Sequence, residues 1–161
     1  MTIGITIEIQ DSEVQATLSV LQHRLENLHP VLDAIGAKLE SNVKIRFELK
    51  QDPSGEGWEG LRPSTVKSYR KKYPDGIPGS LLDRSGGFGM RQSLSYTVEG
   101  DTVMVGFGKP YALYHEFGTS KMVRRGLLTA DPGSGTLGLA DRQDILDILN
   151  RYLSNPSSNS F

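Results

Sequence analysis

The sequence contains no cysteine. Neither a disulfide frame nor a thiolate metal site is open to it, and nothing in it demands an oxidising compartment. It also lacks any apolar run near the ~18 residues of a membrane span. The start, Met-Thr-Ile-Gly-Ile, carries no basic segment of the signal-peptide kind. The expectation is a soluble protein, made in the cytoplasm, with no membrane partner. An excess of charge is missing as well: 18 Lys and Arg against 19 Asp and Glu leave a formal net charge of -1. The chain as a whole is therefore no polyanion binder. Hydrophobic residues reach only 37%, low for a self-contained globule and suited to a subunit that finds order against a partner. At 161 residues the expected organisation is one domain over 1–154, with a Ser/Asn/Pro tail at 155–161 that should be loose. That length buries a real core, about 70% of the unfolded surface.

Catalytic constellations are missing too. His115-Glu116 suggests a zinc protease, but that chemistry needs a second imidazole one helical turn on, and position 119 is Thr. His115 then reads as a histidine hydrogen-bonded at a turn or a subunit contact. Gly-x-Ser-x-Gly does not occur, so Ser85 before Gly86 is no nucleophile elbow. The glycine-rich Ser85–Gly89 segment lacks the lysine of a phosphate-cradling loop and reads as a flexible connection. Asp141 and Asp144 open a helix, where carboxylates favour the dipole. No enzyme, no metal and no cofactor is expected.

What is present is periodicity. Ile3, Ile5, Ile7 and Ile9 alternate with Gly4, Thr6 and Glu8, a half-buried strand. Ser12 with Gln15 forms a capping box for a helix with Val14, Leu18, Leu21, Leu25 and Leu28 on one face. His29-Pro30 breaks that helix and opens a second, striped by Val31, Ile35, Leu39, Val43 and Phe47 and ending near Leu49. Gln51 to Gly60, with three glycines and Trp58, is a loop. Pro63-Ser64-Thr65 starts a short helix capped by Ser64 or Thr65. The turn-rich Tyr73–Gly79 segment follows. Ser93–Val98 and Thr102–Phe107, flanking Glu99-Gly100-Asp101, read as a β-hairpin. Tyr111 to Phe117 is a helical turn or a strand, and Asp141 to Leu153 a final helix with Ile145, Ile148, Leu149 and Tyr152 inward. Between them Thr119 to Gly138 is a long loop, odd inside a compact monomer and suited to reaching a neighbour. The fold class expected is α+β: a small antiparallel sheet packed against an N-terminal helix pair and a C-terminal helix, with long interface loops.

Two features bear on partners. Arg62, Lys67, Arg70, Lys71 and Lys72, interleaved with Tyr69 and Tyr73, form a basic run. It suits phosphates, a solvated helix face, or an acidic neighbour. Lys121, Arg124 and Arg125 form a second, smaller patch. Tyr111, Tyr114 and Phe117 around His115 suit either core or interface, where Tyr buries area and keeps a polar tip.

The block Tyr111-Ala112-Leu113-Tyr114-His115-Glu116-Phe117-Gly118 followed by Arg125-Gly126-Leu127-Leu128-Thr129 resembles the signature of the phage virion morphogenesis family, Mu-type proteins akin to tail-completion proteins. The family's Arg-Pro-Phe-Leu-Gly block has its Pro, Phe and final Gly replaced here. Gly57–Thr65 resembles the family's "Trp, then Leu-x-Pro-x-Thr" block. Leu81–Gly86 resembles its "Leu-x-x-Ser/Thr-Gly-x-Leu" block, with Phe88 or Met90 where the later Leu is usual. Thr102–Gly106 and Tyr111 resemble its "Val-x-Val-Gly, then Tyr-Ala" block. In order, these span roughly residues 57 to 153.

The resemblance implies a structural protein of a tailed phage, located in the virion at the neck. It implies a tail-completion or terminator subunit, in a ring expected to be hexameric, that caps the tail tube and joins tail to head. Implied partners are further copies of itself, the tail-tube protein, the head-tail connector proteins and DNA passing through the lumen. Assembly contacts are expected at Trp58, Phe88, Tyr111, Tyr114, His115, Phe117, Arg124 and Arg125, and DNA-facing positions at Arg62, Lys67, Arg70, Lys71 and Lys72. Two other readings stand beside it: a head-side connector or stopper that gates DNA, and a DNA-binding module built on the Arg62–Lys72 run.

Overall fold

A computed structural model describes residues 12–74 and 89–154. The expected Ile3–Ile9 strand, the Ser85–Phe88 segment and the 155–161 tail lie outside the described residues. The elements run in the order α1 (Ser12–Glu26), α2 (His29–Leu49), α3 (Pro63–Lys72), a 3-10 turn (Arg91–Ser93), β1 (Leu94–Glu99), β2 (Thr102–Phe107), α4 (Ala112–Phe117) and α5 (Leu139–Ser154). This is a small α+β fold: among the described residues, five helices and one two-stranded antiparallel sheet.

Helix α2 is the spine. Its stripe of β-branched and aromatic residues at four-residue spacing lies on one side, and Val31, Ile35, Val43 and Phe47 are all buried. The stripe divides between two cores. Toward its N-terminus, Val31 and Ile35 pack with Ile148 of α5, joined by Ile145, Leu149 and Tyr152. Toward its C-terminus, Val43 and Phe47 pack with Met90, Leu94 and Leu127, and with Trp58, Val105 and Phe107 at the rim. Phe47 is fully buried, which contributes roughly 2–3 kcal/mol. Trp58 and Phe107 meet its ring edge-on, each with centroids 6.0 Å apart, the geometry the ring quadrupole prefers.

The hairpin lies across α2. Leu94, Tyr96 and Val98 of β1 stand opposite Phe107, Val105 and Val103 of β2. Period-two alternation puts all six on one face, and Leu94, Val103, Val105 and Phe107 enter the two cores. Helix and hairpin approach so closely that a Cβ on Gly36 would sit 2.2 Å from the Tyr96 ring. A glycine in mid-helix costs about 1 kcal/mol against alanine; here it lets the ring lie on the helix backbone. Tyr96 also donates its phenol to Asp33 at 3.0 Å. That bond, then desolvation, holds the phenol above its usual pKa.

Three expectations need correction. Leu25 was expected to face the core but is 61% exposed. The last turn of α1 is fixed by Arg24, which donates to the carbonyls of Tyr152 and Leu153, and by the Tyr152 hydroxyl donating to Asn27 O. Those bonds turn Arg24 and Leu28 toward α5 and Leu25 away. Helix α3 is capped at Arg62, with Pro63 in its first turn and no side-chain cap from Ser64 or Thr65. Proline's fixed φ presets that turn and its missing N–H is no loss there. Ser93 is not strand but closes the 3-10 turn, its hydroxyl donating to Met90 O.

Candidate assembly site

Residues 111–129 come together as an outward helix on an inward clamp. Helix α4 turns one side out: Tyr111, Leu113, Tyr114 and Phe117 are 40%, 59%, 56% and 54% exposed. The open choice between helical turn and strand is thus decided for a helix. Its other side carries Glu116, which is buried. The Glu116 carboxylate accepts from the backbone N–H groups of Leu127 (2.8 Å), Leu128 (3.2 Å) and Thr129 (2.8 Å), and from the Thr129 hydroxyl (2.6 Å). Four donors on one carboxylate satisfy its acceptor sites and fix three consecutive residues of the loop.

The arginines complete the clamp. Arg124 donates to Glu116 O and Thr129 O, and its charge lies 3.7 Å from both Asp52 and Glu116. Arg125, buried, donates to Glu59 O at 3.0 Å and Gly60 O at 2.9 Å, tying in the Gln51–Gly60 loop. Its own amide donates to His115 O. Trp58 closes the far side, its indole N–H donating to Gly126 O at 3.2 Å. Gly118 makes the corner between helix and loop at φ 74°, ψ 173°, a region essentially reserved for glycine. A Cβ there would also press to 3.1 Å on the Arg124 amide.

One more brace lies beneath. Arg46 of α2 donates to Leu127 O at 2.9 Å and forms a 2.6 Å ion pair with Asp141 of α5, both side chains being nearly inaccessible. Asn42 donates to Asp141 and Asp144, and Lys38 lies 3.5 Å from Asp144. The two aspartates expected only to complement the helix dipole therefore bind α5 to α2. Further along, Asp131 closes a small turn. The Ser134 hydroxyl first, and the Gly133 amide next, hold its carboxyl below the usual range.

The expected site residues therefore separate. Tyr111, Tyr114 and Phe117 are brought together on the surface. Leu113 joins them, a position the sequence reading passed over. His115 is half-buried between helix and clamp, its ring edge-on to Tyr111 at 6.4 Å. Trp58, Arg124 and Arg125, expected as contacts to a neighbour, direct their polar atoms into their own chain. Phe88 lies outside the described residues. Arg62, Lys67, Arg70, Lys71 and Lys72 stand exposed on α3. The loop 119–138, expected to reach outward, is held by its own subunit, with short bridges at Thr119–Met122 and Asp131–Thr136. Glu116, Arg46, Asn42 and Asp141 were not foreseen. The one available signal was Arg46 interrupting an apolar face beside Phe47. Among the described residues no group of His, Asp or Glu is placed to hold a metal ion, and no helix is long and apolar enough to cross a membrane.

The sequence profile of the phage virion morphogenesis family matches residues 9–154. The chain belongs to that family. It is similar to the "Mu-like prophage FluMu G protein 1" of Haemophilus influenzae, 32% identical over 148 residues that cover 88% of this chain and 94% of that one. No solved structure matches. Membership in a virion morphogenesis family gives the protein a role in building phage particles. The family block at 111–118 and 125–129 also acquires a physical meaning. Its small and charged positions build the clamp, and its aromatic positions face out.

Proposed function

We propose that the protein is the tail-completion, or terminator, subunit of a tailed phage. Copies of it form a ring, hexameric to match the tail, at the neck of the virion. The ring caps the tail tube and joins it to the head-side connector. The work is geometric, with no substrate turned over and no cofactor. The observation that carries this reading is the outward face of α4. Tyr111, Leu113, Tyr114 and Phe117 are exposed together on a helix whose opposite side is locked by Glu116 to the loop. Exposed aromatics on a rigid base are the composition and pre-organisation of a protein-binding surface. A closed ring of identical subunits needs such a face to meet a different face of the next copy.

The test is complementation of a phage lacking this gene with Tyr114→Ser plus Phe117→Ser. Both side chains are exposed, so the variant keeps its fold. Negative-stain images should then show overlong or headless tails beside intact, DNA-filled heads. Normal particles would sink the assignment, and heads that lose DNA while tails stay normal would place the protein on the head side instead.

A further inference from the structure

Helix α3 and its cap Arg62 carry charge of one sign. Arg62, Lys67, Arg70, Lys71 and Lys72 put five cations within residues 62–72, a stretch without a single carboxylate. The whole chain carries -1, so the remainder carries -6 (−1 − 5). All five side chains are exposed, and no residue of α3 is buried. Thr65, Val66 and Tyr69 are the half-buried positions of the helix. At 100° per residue they mark one side, which leaves Lys67 and Lys71 on the other with Arg70 at its edge. Arg46, Lys38, Lys44, Arg91 and Arg124 each have a carboxylate within 4 Å. None of the five has a described carboxylate so placed, and Lys72 lies 5.5 Å from the Tyr73 ring.

We propose that this face of α3 binds the phosphodiester backbone of duplex DNA without regard to sequence. Lys67 and Lys71 are one turn apart, about 6 Å along the axis, against about 3.4 Å per phosphate of one strand. Arg70 flanks that pair, so the face spans about two phosphate steps of one strand. Residues 62–72 hold no Asn or Gln to select adenine, and exposed cations meet the phosphates whatever the sequence. The rival occupant is the acidic surface of another protein, including a second copy of this chain. Along the described sequence, stretches without cations expose at most two acids outside ion pairs, such as Glu56 with Glu59 or Glu99 with Asp101. The proposal is independent of the ring: α4 and α3 share no residue, and each can fail alone.

The experiment is fluorescence anisotropy of the full chain with a short labelled duplex of random sequence, titrated with salt. Binding should be weak, with Kd on the order of 10⁻⁵ M near physiological salt, and log K should fall linearly with log salt. Lys67→Gln with Lys71→Gln should flatten that slope by about 1.8, at 0.9 per phosphate contact. Arg70→Gln, at the edge of the same face, should flatten it by about 0.9. Circular dichroism should show both variants folded, since no α3 side chain is buried. Lys44→Gln, a single cation lost from α2, should leave the slope alone. Three results overturn the proposal: no binding at the lowest salt, equal flattening by Lys44→Gln, or displacement of the duplex by poly-glutamate at equal charge. The last would assign the face to an acidic protein. A change in subunit mass without DNA, with the slope intact, would likewise assign it to self-contact.

Discussion

At the scale of single residues the unexpected part belongs to Glu116. Beside His115 it looks like half of a metal site. Its two oxygens instead hold three loop amides and a hydroxyl. A buried carboxylate with that many donors stabilises the loop because each bond to a charged acceptor is worth more than a neutral one. Removing it strands the donors. Glu116→Ala should therefore cost about 3 kcal/mol, since the amides of Leu127 and Leu128 have little water to turn to. For a chain of this size that is a drop in Tm of roughly 6–12 °C, measurable by calorimetry. Glu116→Gln keeps the shape and two acceptor sites but loses the charge, and should lose about half as much. If alanine and glutamine were both silent, the carboxylate would not be what holds the loop.

At the scale of elements, periodicity carried the fold. Val31, Ile35, Val43 and Phe47 of the α2 stripe and Ile148 of α5 are buried, with Leu39, Ile145, Leu149 and Tyr152 partly so, because a helix has one inner face and burial is its main support. The hairpin was legible from its alternation and its glycine turn. What the spacing could not show is where distant segments meet. Arg125 bonds to carbonyls 65 and 66 residues away, and Trp58 to one 68 residues away. Such bonds leave no local period, so those residues looked like free surface chemistry. Gly36 is an intermediate case. It reads as a flaw in a good helix until the Tyr96 ring is placed against it. Gly36→Ala gains helix propensity, about 1 kcal/mol, but forces the ring off the helix at a typical overpacking cost of 1–3 kcal/mol. The net should be destabilising in urea unfolding. In Tyr96→Ser, where the ring is gone, the same change should become stabilising. A double-mutant coupling near zero would show that helix and hairpin do not share this contact.

At the scale of the whole molecule, the balance between inside and outside sets the behaviour. Two modest cores gathered on α2 hold the described chain together, and buried polar braces carry connections that a larger apolar core would make elsewhere. Large apolar side chains remain outside, among them Leu139 at 84%, Leu25 at 61% and Leu49 at 60%, besides the four on α4. Single exposed leucines are ordinary, whereas a set gathered on one short helix is the feature on which the proposed ring rests. If copies of the chain cover it, folding and association are linked, and stability must rise with concentration. Each tenfold increase in protein should add about 1.4 kcal/mol to the folded side once association is in play. For this size that raises Tm by roughly 3–5 °C. Tyr114→Ser with Phe117→Ser should abolish the rise while leaving the dilute-solution Tm unchanged, because neither side chain belongs to a core cluster. Scanning calorimetry over two decades of concentration separates the cases. A Tm that never moves for the natural chain means its subunits do not associate on their own, and a variant that keeps the full rise means they associate through some face other than α4.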